Sequence, residues 1–312
     1  MIKDDMIKAI SKYMEIDTAG LEIKITKVED RGKEENIPVE NIEDLKKELQ
    51  GYIGLDLIKD EVESLINWIE ICKQRKAFDL PTPDLSLHMV FSGNPGTGKT
   101  MIARLMSRIY HSLGILSKGQ LVEVDRSGLV AGYVGQTAGK TTEVIKKALG
   151  GVLFIDEAYT LINKSENDFG QEAVDTILKA MEDTRDDLVV IVAGYTELME
   201  EFIHSNPGLE SRFNRFMHFP DYTIDEMLAI FDMRCGQSGY LVADNARDEL
   251  QKILEEKSQD IGGFGNARGV RNLFEKAIAE QADRLAASDA PLTKELLMTL
   301  TEEDINAAAE KA

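Results

Sequence analysis

The sequence predicts an α/β fold: a parallel five-stranded sheet between helices, followed by an all-helical region and preceded by a small α+β segment. Three observations carry this. Strand-like and helix-like segments alternate through the middle of the chain, the pattern of βαβ units. Several of those strands are near-continuous apolar runs, as expected where helices cover both faces of a sheet. A glycine-rich turn at residues 93–100 joins an apolar strand to a helix.

The elements follow in order. Residues 1–40 form a first region. Met6, Ile7, Ile10 and Met14 have helical spacing, and Leu21 to Val28 alternates apolar and polar as a half-buried strand does. Charged Glu29 to Glu35 reads as a turn or linker. Residues 41–220 form the second region, opening with a helix near Asn41 to Leu49. Its strands are expected at His88–Ser92, Gln120–Val124, Val152–Asp156, Leu188–Ala193 and Phe216–Phe219. Residues 221–312 show no convincing strand. Helices are expected at Ile224–Cys235, Ala243–Glu256, Ala267–Ala287 and Glu302–Ala309, punctuated by glycines and Pro291.

Bulk properties narrow the function. With 312 residues, 43% of them hydrophobic, the chain has material for about two domains with real cores. A net charge of −20 argues against wrapping a nucleic acid over the whole surface. Cys72 and Cys235 make neither a disulfide framework nor a zinc motif. No apolar run reaches the length of a membrane span, and Met1 to Ile10 lacks the apolar core of a signal peptide. The expected location is the cytoplasm.

Residues 93–100 read Gly-Asn-Pro-Gly-Thr-Gly-Lys-Thr, which fits GxxxxGK[ST] between a strand and a helix. The physics is direct. Glycines let successive amides turn inward on a phosphate, and the following helix adds its positive N-terminal end. The loop residues Asn94, Pro95, Gly96, Thr97 and Gly98, with Met101 just beyond, form the nucleotide cradle. Lys99 reaches the β and γ phosphates, and the Thr100 hydroxyl takes one Mg²⁺ position.

Residues 151–157 read Gly-Val-Leu-Phe-Ile-Asp-Glu. An apolar strand thus delivers two acids to the end where parallel sheets bind ligands. Alone, two acids ending a strand would simply meet solvent. Behind a phosphate loop, Asp156 reads as a holder of the Mg²⁺ shell and Glu157 as the base that polarises water. A carboxylate there disfavours a phosphotransferase, which must exclude water.

These motifs together resemble an AAA+ module. Gly54-Leu55-Asp56-Leu57-Ile58-Lys59, the phosphate loop, Val130-Ala131-Gly132-Tyr133-Val134-Gly135-Gln136-Thr137 and Asn206-Pro207-Gly208-Leu209-Glu210-Ser211-Arg212-Phe213 resemble one subgroup. It contains stage V sporulation protein K and the red-type rubisco activase CbbX. The likeness spans about residues 45–288.

The resemblance implies further roles. Gly54 and Leu55 fall where the family packs adenine, although an apolar turn before a helix could flank any ring. Arg212 and Arg215 match the arginine-finger region, which reaches a neighbouring subunit's nucleotide. Read alone, both would pair with surface acids. Arg268 matches the lid arginine called sensor 2, with Arg271 as its fallback three residues on. The family's polar sensor 1 residue has no clear match in Gly194-Tyr195-Thr196, where Thr196 offers a hydroxyl. Gly132, Tyr133, Val134 and Gly135 match the segment lining the family's central pore. An aromatic between glycines suits that place, giving a broad contact surface on a mobile loop. Read alone, it is a surface turn with its tyrosine folded back.

Residues 3–17 and 20–25 are also similar to the start of the MinE topological-specificity domain; a small helix–strand cap is the plainer reading. The expected function is ATP hydrolysis, with ATP/ADP and Mg²⁺ bound, in a homo-oligomer (a hexameric ring by resemblance). The ring would remodel or thread a client protein that the sequence does not identify. A nucleotide-controlled assembly switch without threading shares every catalytic residue; a P-loop kinase is the weaker alternative.

Overall fold

The computed structural model describes residues 38–83, 86–133, 135–162, 169–288 and 291–311. The helix and strand expected within residues 1–37, and the MinE-like segment, lie outside the described residues, as does Val134.

The chain first lays down α1 (Ile42–Gln50) and α2 (Asp56–Ala77). The Asn41 side chain caps α1 by accepting from the Glu43 amide at 2.8 Å. Ile58, Val62, Leu65, Ile66 and Ile69 of α2 recur every three or four residues and are buried, which turns one face of the helix to the core. Then strands and helices alternate: β1 (Met89–Ser92), α3 (Lys99–Ser112), β2 (Leu121–Val124), α4 (Arg126–Leu129), α5 (Thr137–Ala148) and β3 (Val152–Ile155). A short 3₁₀ turn, Ala158–Leu161, leads to α6 (Gly170–Asp183), β4 (Val189–Gly194), α7 (Thr196–His204), α8 (Pro207–Arg212) and β5 (Arg215–His218).

The five strands form one parallel sheet, as the alternating pattern predicts, and the structure sets their order as β2-β3-β4-β1-β5. Alternate side chains separate onto two faces. Phe91, Phe154 and Ile191 join one core with α1, α2, α3 and the C-terminal helices. Val90, Leu153 and Val190 join the other, with Ile145, Ile177 and Phe202. Because β1, β3 and β4 sit side by side at the centre, their C-terminal ends open onto one place.

The C-terminal region holds α9 (Ile224–Ser238), β6 (Leu241–Val242), α10 (Asp244–Lys257), α11 (Ile261–Phe264), α12 (Asn266–Ala286), α13 (Lys294–Met298), β7 (Thr299–Leu300) and α14 (Glu302–Glu310). A capping box between Thr223 and Glu226 starts α9, and Gly239 at φ 75° ends it. The expected helices are present. The structure adds α11, α13 and a parallel ladder of β6 on β7. Two-residue strands are too short to show a period of two in sequence, and only long-range pairing creates them. Arg284 binds Asp304 at 2.7 Å and ties α12 to α14, with Asp304 only 1% exposed.

Candidate nucleotide site

A cavity of about 370 Å³ lies at the C-terminal ends of β1, β3 and β4, roofed by α9 and α12. It is lined from the sheet side by Gly93, Gly96, Gly98, Lys99, Thr100 and Met101 of the loop and helix after β1. Asp156 and Glu157 line it from the end of β3, and Gly194 and Tyr195 from the end of β4. Arg234, Arg268 and Arg271 line it from the roof. The sheet therefore brings together residues that are far apart in sequence.

The loop is built by its own backbone. Thr97 is fully buried, and its hydroxyl donates to the Asn94 carbonyl at 2.8 Å. Gly96 has φ 75°, and a Cβ there would lie 2.1 Å from the Gly265 carbonyl oxygen, so only glycine fits against the start of α12. Lys99 Nζ donates to the Gly93 and Asn94 carbonyls, each at 2.7 Å. Burial lowers its pKa to about 8, against the opposing pull of Asp156; Arg268 pushes in the same direction as burial.

The acids at the end of β3 are held differently. Asp156 accepts from the Glu157 amide at 3.0 Å. Glu157 has φ 49°, a left-handed conformation uncommon for residues other than glycine. Such strain collects at functional sites. Burial and the neighbouring Glu157 charge raise the Tyr159 hydroxyl pKa.

Gly54 and Leu55 sit beside this cradle without lining the cavity. Gly54 has φ 61°, and a Cβ there would lie 2.2 Å from Glu226 Oε1. A Cβ built on Gly98 would touch Leu55 Cδ1 at 3.4 Å, Met101 Cε at 3.4 Å and Tyr222 Oη at 3.5 Å. Leu55, Met101 and Tyr222 thus form an apolar flank to the loop.

The structure does not bring Thr196 to the cavity. Thr196 begins α7 and lines a separate pocket with Ser92, Met199 and Phe216, while Gly194 and Tyr195 take the cavity wall. Arg212 and Arg215 also lie outside it. Arg212 pairs with Glu182 at 3.1 Å. Arg215 donates to the Ser86 carbonyl at 3.1 Å and stacks 4.8 Å from the centre of the Trp68 ring. Ser86 also donates to the Arg212 carbonyl at 2.9 Å, so one residue ahead of β1 holds both arginine segments. Tyr133, in the turn between α4 and α5, is 75% exposed. Its neighbours Gly132 and Gly135 face open space.

The Arg268 side chain has no ion pair or hydrogen bond among the described residues, its backbone amide donating to the Gly265 carbonyl at 3.0 Å, whereas Arg271 pairs with Glu275 at 3.5 Å. Sequence reasoning missed Arg234, Asp221 and Asn266. Asp221 accepts from Asn94 at 3.0 Å and from Asn266 at 2.8 Å, and Asn266 also donates to the Pro95 carbonyl. Asn266 stands at φ 51° after Gly265; asparagine after glycine at a helix start was the available signal. Arg234 carries no local signal.

These residues fit a magnesium nucleoside triphosphate. The Gly96–Gly98 turn and Lys99 offer phosphate donors, and Thr100 with Asp156 offers oxygen ligands to Mg²⁺. Among the described residues no cluster of three or more His, Cys, Asp or Glu side chains forms a cage. Mg²⁺ is ordinarily held by one or two carboxylates together with substrate phosphates, so such a cage is not required.

Comparison with known proteins agrees with this geometry. Residues 89–221 match the family described as ATPase family associated with various cellular activities (AAA), and residues 223–312 match the AAA lid domain. The chain is 39% identical to stage V sporulation protein K of Bacillus subtilis over 267 residues, covering 85% of this chain and 83% of that protein. It is 43% identical to protein CbbX of Cereibacter sphaeroides over 271 residues, covering 86% of each. The chloroplastic ribulose bisphosphate carboxylase/oxygenase activase of Cyanidioschyzon merolae is 41% identical over 268 residues, covering 85% of this chain and 90% of that protein. In fold, the chain resembles the FIGL-1 AAA domain, with a TM-score of 0.57 at 16% identity over 85% of this chain and 83% of that one. It also resembles a point variant of Thermotoga maritima RuvB, with a TM-score of 0.56 at 19% identity over 84% of this chain and 71% of that one. The chain therefore belongs to the AAA family of ATPases, in the group of stage V sporulation protein K and CbbX.

Proposed function

We propose that this ATPase works as a ring of its own copies and uses ATP hydrolysis to remodel a client protein. The carrying observation is a division of cations. Lys99 and Arg268 line the cavity with Asp156 and Glu157, whereas Arg212 and Arg215 lie outside it. A site with its hydrolytic acids in place and its finger arginines elsewhere suits completion by a neighbouring subunit.

The placement of these residues supports the following roles. Lys99 and the loop amides bind the β and γ phosphates; Thr100 and Asp156 would hold Mg²⁺, which would offset phosphate charge. Glu157 takes the proton of the attacking water. Arg268 reaches the phosphates from the roof, and Arg212 supplies the neighbour's finger. Leu55 and Gly54 flank the base. Tyr195 at the cavity wall is better placed than Thr196 to orient water. The exposed Tyr133 between two unobstructed glycines supports a contact with an extended client in a central pore. The chain divides into an N-terminal segment (1–40), an ATPase region (41–220) and a lid with its C-terminal helices (221–312), and a hexamer in the cytoplasm is the fitting assembly.

The test is ATP hydrolysis per subunit against protein concentration, with particle size measured in parallel. Activity should rise steeply as rings form and collapse in Arg212→Ala. A flat rate from a monomer indifferent to Arg212 would overturn the ring. Rings that hydrolyse ATP but leave every client unchanged would favour the assembly switch.

A further inference from the structure

We infer that Arg234, on lid helix α9, is a direct ligand of the nucleotide phosphates. The inference rests on the cavity being the nucleotide site.

The first observation is an orphan. Arg234 lines the cavity. Its Nε is shut off from solvent and has no hydrogen-bond partner among the described residues. Buried polar groups are nearly always satisfied, and each exception calls for a cause. A guanidinium also carries its charge at any working pH, so it cannot escape burial by losing a proton.

The second observation is how the other lid arginines are treated. Arg247 binds Asp232 at 2.6 Å, Arg284 binds Asp304 at 2.7 Å, and Arg271 lies 3.5 Å from Glu275. Carboxylates are abundant, with 56 Asp and Glu against 36 Lys and Arg. Asp232 lies only two residues from Arg234 and yet pairs with Arg247. Arg234 has no carboxylate partner among the described residues, despite that surplus.

The third is local charge. Among the described residues that line the cavity, the four cations Lys99, Arg234, Arg268 and Arg271 face two carboxylates, Asp156 and Glu157, with Arg271 also paired to Glu275. The cavity is therefore an electropositive spot in a strongly acidic protein. An anion of more than one charge would balance it, and the planar guanidinium fork matches phosphate oxygens. Arg234 comes from α9 and Arg268 from α12, so a phosphate held by both would cross-link two lid helices to the loop after β1. A polyphosphate would then draw the lid down on the site.

The experiment measures MgATP affinity of the full chain and the melting temperature without nucleotide. Arg234→Met keeps the aliphatic stem and removes the charge; Arg234→Lys keeps the charge and loses the fork. We expect Arg234→Met to weaken MgATP at least tenfold and Arg234→Lys to recover part of that loss. The nucleotide-free melting temperature should hold or rise, because an unsatisfied buried group has gone. MgATP affinity within twofold of the parent overturns the inference. So does a lowered nucleotide-free melting temperature in both variants, which would make Arg234 a structural residue. Lys99→Ala is the control: if it leaves MgATP binding intact, the assignment of the cavity itself fails, and Arg234 falls with it.

Discussion

The Asn266 side chain donates to the Asp221 carboxylate at 2.8 Å, although the two are 45 residues apart. Asn94 of the phosphate loop donates to the same carboxylate at 3.0 Å. Asn266 Oδ1 in turn accepts from the Tyr222 amide at 3.0 Å. One fully buried asparagine thus joins the lid, the strand-to-lid turn and the phosphate loop.

Asn266→Gly keeps the left-handed backbone and removes this joint. The Tyr222 amide would lose its buried partner, a cost of about 1–3 kcal/mol. The urea midpoint of the nucleotide-free protein should fall accordingly. An unchanged midpoint would show that water replaces the amide without loss.

Glu157→Gln retains size and hydrogen bonding but cannot accept a proton. Turnover should drop by roughly 10²–10⁴-fold, the usual worth of a general base. ATP binding should persist, so a loss of binding equal to the loss of rate would refute the role.

Arg212 invites a mixing experiment. Arg212→Ala and Glu157→Gln subunits should each be nearly inactive alone. In mixed rings, a Glu157→Gln subunit still offers Arg212 to a neighbour with an intact acid pair. Recovery of activity on mixing identifies a finger acting in trans; no recovery at any ratio denies it.

Lys99 gives the site a pH signature. Its pKa falls from 10.5 to about 8 on folding without nucleotide. The unfolded chain thus binds more protons between those values, and the nucleotide-free protein should gain stability as pH rises from 8 to 10.5. Phosphates favour the charged amine, so MgATP binding above pH 8 should take up a proton. Calorimetry in buffers of differing ionisation enthalpy reads this directly, and Lys99→Met should abolish it.

Tyr133→Ala should leave the melting temperature unchanged, because the side chain is 75% exposed. ATP turnover should continue while work on the client stops. Client remodelling that survives the substitution would remove the threading step.

Much of this was legible in the sequence because it is local. The phosphate loop at 93–100 needs only a strand, three glycines and a helix start, all contiguous. The three central strands announced themselves as apolar runs, since strands buried on both faces leave little polar alternation. The helices of the lid followed from spacing and caps such as Thr223 with Glu226. Thr196 shows the limit: its hydroxyl is polar and adjacent in sequence, yet α7 begins there and turns it to another pocket.

The sequence by itself determined the central strands, the phosphate cradle and the acid pair, because each is a run of neighbouring residues whose chemistry is fixed by type and order. Only the tertiary structure decided which arginines share a cavity. Arg234, Arg268, Arg212 and Arg215 have the same chemistry; motif likeness marks the last three, and nothing local marks Arg234. The packing of α9 and α12 over the strand ends sets two of them at the phosphate loop, and the Ser86 anchor before β1 holds the other two away. Long-range packing alone carries that distinction, because a side chain's reach is a few ångströms and its partner is chosen by the fold.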